Sequence, residues 1–203
     1  MTSPTPSTPP TQPTPVRLVV VGGSWGGAAA ATGLLRAVPS PLPAPVLLVL
    51  HRSRSSEAAL LERVLERDTG HPVCELGDKD ELSAGTVHLA PPDYHVLVEG
   101  GSVSLSVEEH VNHSRPSLDQ AFESAADEHG PALVAVVLSG LGRDGAHGIA
   151  AVHRAGGRTL VQDPAEAERG DMPRAAIETG EVDEVAPVAG LGARVADLVG
   201  APS

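Results

Sequence analysis

The sequence predicts a doubly wound α/β fold, a three-layer α/β/α sandwich around a mostly parallel sheet with an antiparallel hairpin added. Two observations lead there. Three runs, Leu18 to Val21 within a strand expected over Arg17 to Val21, Val46 to Leu50 and Leu133 to Leu138, are unbroken apolar stretches without alternation, as a sheet covered on both faces demands. Segments with helical spacing of apolar residues lie between such runs, which is the βα alternation of a parallel sheet.

The elements follow in order. The first strand runs straight into Gly22-Gly23-Ser24-Trp25-Gly26-Gly27, and the alanine-rich stretch beyond predicts a helix over Gly26 to Val38. Pro39, Pro41, Pro43 and Pro45 end that helix, because proline cannot donate to the helical ladder. Val46 to Leu50 predicts the second strand, ending in His51. Ser55 or Ser56 then suits the cap of a helix from Glu57 to Asp68, whose Leu60, Leu61, Val64 and Leu65 share one face.

Short strands are expected at Val73 to Glu75 and Val87 to Leu89. Tyr94 to Val98 and Val103 to Val107, joined by Glu99-Gly100-Gly101-Ser102, predict the hairpin. Ser117-Leu118-Asp119 opens a helix to Glu128, and Leu133 to Leu138 leads into Ser139-Gly140-Leu141-Gly142-Arg143-Asp144-Gly145 and a further helix to Ala155. A strand at Arg158 to Val161, a short helix at Arg174 to Thr179 and a closing helix at Leu191 to Val199 complete the pattern.

Composition narrows the function. Aromatics make up 1% and the net charge is −12, so the chain lacks stacking platforms and repels a phosphate backbone; nucleic acid is not an expected partner. No apolar run approaches the length of a membrane span, so membrane insertion is not expected. The N-terminus lacks the basic and apolar regions of a secretory signal, which makes the cytoplasm the default location. The single Cys74 excludes an internal disulfide and reads as a small buried hydrophobe. Residues 1–15, made only of Met, Thr, Ser, Pro and Gln, are expected to form a disordered tail, leaving 16–203 as one domain.

In open α/β sheets, ligands bind beyond the carboxyl ends of the strands. Ser24, His51 and Asp144 each follow an apolar run. The glycines around Ser24 suit either a phosphate cradle or a nucleophile on a sharp turn. The cradle lacks support: the dinucleotide pattern has glycine where Ser24 stands and expects an acidic residue where the second strand ends in His51. Gly22-Gly23-Ser24-Trp25-Gly26 instead satisfies G-x-S-x-G, the elbow that exposes a serine between strand and helix. A serine needs a neutral imidazole to accept its proton and a carboxylate to orient that imidazole, roles that His51 and Asp144 suit. The residues alone leave a bland alternative open: Ser24 and Asp144 as helix caps or turn residues and His51 as a satisfied strand-end histidine.

Several motifs in order resemble the CheB-type protein-glutamate methylesterase domain: Gly22-Gly23-Ser24-Trp25-Gly26-Gly27, Leu50-His51, Ala90-Pro91-Pro92 with His95, Arg115-Pro116-Ser117-Leu118-Asp119, Ser139 to Ala146, and Gly170-Asp171-Met172-Pro173. The resemblance covers about 16 to 200. It implies a serine hydrolase that demethylates glutamyl methyl esters on chemoreceptor-type signalling proteins and in some members deamidates glutamines. By that resemblance Ser24 is the nucleophile, His51 the base and acid, Asp144 the orienting carboxylate, and Met172 a wall of the site. The backbone N–H groups of Trp25 and Leu141 suit an oxyanion, and neither metal nor cofactor is required.

The chain departs from the family pattern at Trp25, where many members have Thr or Ala, and at Leu141, where they have Met. The receiver domain that often precedes this domain has no counterpart before residue 16, so regulation is expected to be absent or to come from a separate protein. The runner-up reading is a non-catalytic signalling or scaffold module of the same fold that binds receptor-like helices. His110 and His113 are spaced for a metal only if helical, which their strand-end context disfavours. Arg52, Arg54 and Arg143 flank the site and read first as solvated arginines.

Overall fold

The structure is a computed structural model that describes residues 15–53 and 58–200. The tail expected over 1–15 falls almost wholly outside the described residues, as do Ser55 and Ser56 and the cap expected there.

Seven parallel strands form one sheet: β1 (Leu18–Gly23), β2 (Val46–Leu50), β3 (Val73–Glu75), β4 (Val87–Leu89), β7 (Leu133–Val137), β8 (Arg158–Gln162) and β9 (Glu184–Ala186). Their order is β3-β4-β2-β1-β7-β8-β9. The chain therefore runs from β1 through β2 to the edge strand β3 and comes back to insert β4 between β3 and β2. It later lays down β7, β8 and β9 on the other side of β1, leaving a switch point beside β1. Strands β5 (His95–Glu99) and β6 (Ser102–Ser106) pair separately as an antiparallel hairpin. Its two-residue turn, Gly100-Gly101, has positive φ at both positions, the geometry that matches strand twist in a tight hairpin.

Period-two alternation sorts the strand residues to the two faces. Val19, Val21, Leu48 and Leu50 pack with α1 (Gly27–Arg36) and α6 (Val188–Val199) and with Leu65 of α2 (Ala58–Thr69). Leu18, Val20, Leu47 and Val49 pack on the opposite face with α3 (Leu118–His129), α4 (Ala146–Arg154), α5 (Asp171–Ile177) and the hairpin. Both sides of β1 and β2 are covered, which accounts for their continuous apolar sequence. Phe122, the one phenylalanine, is fully buried in the second cluster.

Differences from expectation are local. β9 has no counterpart among the expected strands; it is a three-residue strand at the sheet edge with a half-exposed pattern, too short to carry a periodic signal. α5 begins at Asp171 rather than Arg174, with Pro173 inside its first turn, where a missing N–H costs nothing. Cys74 is exposed rather than buried: it is the middle residue of edge strand β3 and points away from the core. Its sulfur lies 3.5 Å from His88 Nδ1.

Candidate active site

Three adjacent strands deliver the candidate residues. In the β1–β2 register Gly23 lies opposite Leu50, so Ser24 and His51 leave the sheet side by side, tied by the His51 N–H to the Gly23 carbonyl at 3.1 Å. On the other side of β1, the Ser24 N–H donates to the Ser139 carbonyl at 2.9 Å, which brings the loop after β7 against the serine. Gly26 makes the turn possible: its φ of 76° is left-handed, and a Cβ there would lie 2.7 Å from Ser139 Oγ. Gly140 permits a second close approach, since a Cβ on it would overlap Met172 Sδ and come within 3.0 Å of Ser24 Cβ. Met172 is buried against this glycine, and its N–H donates to the Gly140 carbonyl at 3.0 Å.

His51 and Asp144 meet directly. His51 Nε2 lies 2.8 Å from Asp144 Oδ2, with the imidazole 15% and the carboxylate 2% exposed. Asp144 also sits on the N-terminus of α3. Oδ2 accepts the Leu118 N–H at 2.6 Å, while Oδ1 accepts the Asp119 N–H at 3.1 Å and the Ser117 hydroxyl at 2.9 Å. Burial alone pushes this carboxyl up. The His51 hydrogen bond and the Leu118 and Asp119 N–H groups outweigh it and hold Asp144 below the ordinary carboxylate value. The carboxylate is thus ionised and pinned.

With Nε2 engaged by Asp144, the nitrogen left for an incoming proton is Nδ1, which faces the Ser114 hydroxyl at 3.2 Å. Ser24 shares a cavity of about 390 Å³ with His51, walled by Leu50, Leu60, Leu61 and Val64. Among the described residues, Ser24 Oγ has no hydrogen-bond partner, and neither do the N–H groups of Trp25 and Leu141. The Trp25 side chain is 59% exposed, and its indole N–H donates to Glu168 at 2.6 Å. A second, polar cavity of about 370 Å³ also touches His51, lined by Asp93, His110, His113, Ser114 and Arg115 among others.

Ser24, His51, Asp144, Met172 and the backbones of Trp25 and Leu141 lie around this point. Arg52 is the exception to its expectation. It is not a solvated arginine: its side chain is 6% exposed, and it bonds Glu75 and the Ala90 carbonyl. It stands two residues past the end of β2, an interior strand flanked by β4 and β1, so neighbouring segments cover it. Arg143 is exposed, and Arg54 lies outside the described residues. Asn112, Ser114 and Glu168 escaped the sequence reading, because long-range contacts from loops leave no periodic trace. Among the described residues, no group of three His, Cys, Asp or Glu side chains is arranged to hold a metal ion.

A doubly wound sheet carrying a serine elbow, a histidine and a pinned aspartate at the ends of adjacent strands defines a class of α/β proteins built for hydrolysis at a strand-end cleft. The comparisons specify the member. The model of the CheB methylesterase family matches residues 19–195, and the chain belongs to that family of hydrolases. A protein-glutamate methylesterase/protein-glutamine glutaminase of Anaeromyxobacter dehalogenans is 40% identical over 85% of this chain and 50% of its own length. The protein-glutamate methylesterase FrzG of Myxococcus xanthus is 35% identical over 92% of this chain and 56% of its own. A provisionally named Leptospira interrogans relative is 39% identical over 82% of this chain and 86% of its own. The crystal structure of the Thermotoga maritima CheB methylesterase catalytic domain superposes with a TM-score of 0.85 at 29% identity, covering 92% of this chain and all of that one.

Proposed function

We propose that this protein hydrolyses glutamyl methyl esters on chemoreceptor-type signalling proteins, with Ser24 as nucleophile, His51 as general base and acid, and Asp144 as the orienting carboxylate. The observation that carries this reading is the 2.8 Å His51–Asp144 contact beside the cavity that holds Ser24. The family membership supplies the ester and the protein substrate.

The reaction runs as acyl transfer. Ser24 Oγ attacks the ester carbonyl while its proton passes to His51 Nδ1, and Asp144 stabilises the imidazolium that forms. The oxyanion accepts the unpartnered N–H groups of Trp25 and Leu141. The tetrahedral intermediate collapses, the carbon–methoxy bond breaks, and the proton from His51 leaves with methanol. Water then gives its proton to His51 and attacks the acyl-enzyme; the proton returns to Ser24 and free glutamate departs. With a glutamine substrate the leaving group is ammonia and the steps are otherwise the same. Met172 closes one wall through Gly140.

The exposed apolar side chains nearest the site, Trp25, Leu60 and Leu141, form a rim suited to the apolar part of a substrate helix. Substrates of this kind place the protein in the cytoplasm. Among the described residues no helix is long and apolar enough to cross a membrane. Residues 16–203 act as one catalytic domain in this reading.

Incubation with methyl-labelled receptor membranes tests the proposal. Methanol release that disappears in Ser24→Ala is the expected result. Release retained by that variant, or none from the unmodified protein, would sink it.

A further inference from the structure

The loop before α3 carries a four-residue turn that touches both partners of the His51–Asp144 pair. Val111 and Ser114 exchange backbone hydrogen bonds, the Val111 N–H to the Ser114 carbonyl at 3.2 Å and the reverse at 2.8 Å. Between them Asn112 and His113 both have left-handed φ, 49° and 65°. That is the tight turn for which Asn-Gly is preferred, and His113 occupies the position where glycine would be free of strain. A conformation unfavourable to its own residues points to a gain made elsewhere, and both flanking side chains show where.

Asn112 reaches inward from an exposed position. Its amide Nδ2 donates to Asp119 Oδ2 at 2.7 Å and to Asp144 Oδ1 at 3.3 Å. It lies between two buried carboxylates that would otherwise repel each other. Asp119 is held on its other oxygen by the Gly148 N–H at 2.8 Å, so the amide links Asp144 to a fixed point on α4. Two residues on, the Ser114 hydroxyl lies 3.2 Å from His51 Nδ1. A hydroxyl that donates to Nδ1 requires the lone pair there and the proton on Nε2, facing Asp144. That tautomer is the one a general base needs. The lone pair Ser114 occupies is also the one Ser24 must reach.

We propose that the 111–114 turn governs the His51–Asp144 pair from outside the cleft, with Asn112 as a positioning residue that fixes the Asp144 carboxylate and Ser114 as a resting partner that occupies His51 Nδ1 until Ser24 displaces it. The inference rests on the catalytic reading above. The two contacts have different fates in the reaction. The Asn112 bond acts on a carboxylate that does not move, so it persists through the transition state. The Ser114 bond exists only at rest, so it stabilises the ground state alone and slows the chemical step.

The two single variants therefore shift turnover in opposite directions. Asn112→Ala lowers kcat about five- to tenfold, and Ser114→Ala raises it about two- to fivefold, the range expected for one hydrogen bond gained or lost. KM is unchanged in both. The downfield proton resonance of His51 Nε2–H, followed by NMR on each folded variant, shifts in Asn112→Ala, which a purely structural role would not produce.

An unchanged kcat or an unmoved resonance in Asn112→Ala overturns the positioning role. An unchanged or lower kcat in Ser114→Ala overturns the resting role. If Ser24→Ala keeps full turnover, the catalytic reading itself has failed, and the resonance still reports whether the turn holds the pair.

Discussion

Asp144 Oδ2 accepts two hydrogen bonds at once, one from His51 Nε2 at 2.8 Å and one from the Leu118 N–H at 2.6 Å. The same carboxylate thereby orients the imidazole and caps α3. The substitution Asp144→Asn keeps the shape of the side chain but not its charge. With its oxygen at the Oδ2 place it still accepts from His51 and Leu118. Its NH2 then meets the Asp119 N–H and the Asn112 amide, donor against donor, and the charge that stabilises the imidazolium is gone. Turnover is expected to fall on the order of 10³–10⁴-fold, the scale set by losing a triad carboxylate. Methanol release under saturating substrate measures it.

The double role also gives a signature in acid. Asp144 is held below its ordinary value, so its contribution to stability is complete above the unfolded carboxylate range, near about pH 4. It is lost as pH falls through the lower folded value. Urea unfolding of the wild type and of Asp144→Asn should differ clearly at pH 7 and converge toward the acid limit. An equal gap at both ends would mean that the carboxylate's charge contributes nothing. Neighbouring Asp119 has the opposite sign: burial first, with the charge of Asp144 adding to it, raises its value despite the Gly148 N–H. Its cost therefore appears as pH rises and partly offsets the gain from Asp144.

Gly140 is fixed by what lies on either side of it. A Cβ there would overlap Met172 Sδ and press on Ser24, and Met172 is buried without room to retreat. Gly140→Ala should cost about 1–3 kcal/mol of stability through overpacking, together with a loss of kcat as Ser24 shifts. Denaturant unfolding and turnover on the same preparation separate the two effects. A variant with wild-type values for both would show that the wall is softer than its packing implies.

How much of this was legible in the sequence depends on the kind of signal each residue leaves. The sheet was readable because Val46–Leu50 and the run from Leu133 are covered on both faces, and that condition writes itself into composition. Ser24, His51 and Asp144 were readable because strand ends mark the cleft. Their register was not, since the Gly23–Leu50 pairing emerges only when the sheet assembles. Asp144 as the cap of α3, Asn112 between two carboxylates and Ser114 on the imidazole each join segments far apart in sequence. Arg52 misled for a related reason: charge suggests solvent, but a residue just past an interior strand has no free choice of surroundings.

Trp25 stands beside the nucleophile with its indole fixed by Glu168 at 2.6 Å, leaving the ring exposed next to the cleft. An anchored aromatic that meets a partner typically contributes about 1–2 kcal/mol or more to association. Trp25→Ala should raise KM for a receptor substrate roughly five- to thirtyfold while leaving turnover of a small activated ester near the wild-type value. Glu168→Ala should reproduce a fraction of the KM effect, because the ring stays but loses its anchor. Equal losses on the large and small substrates would instead implicate the Trp25 backbone and the oxyanion it serves.

Arg52 carries the last prediction. Its Nη2 is satisfied by Glu75 and the Ala90 carbonyl, but Nε and Nη1 are buried with no acceptor. An arginine cannot shed its proton to escape that cost, and a buried ion pair with unsatisfied donors contributes little net stability. Glu75 keeps 28% of its side chain exposed, so it can be hydrated once its partner is removed. Arg52→Met fills similar volume without polar atoms, and its melting temperature is expected to equal or exceed that of the wild type by a few degrees. A fall of more than about 1 kcal/mol in unfolding free energy would show that the Glu75 pair holds β3 and the end of β2 together despite its orphaned donors. The measurement is thermal unfolding of both proteins at one pH, repeated in high salt to expose the share that is Coulombic.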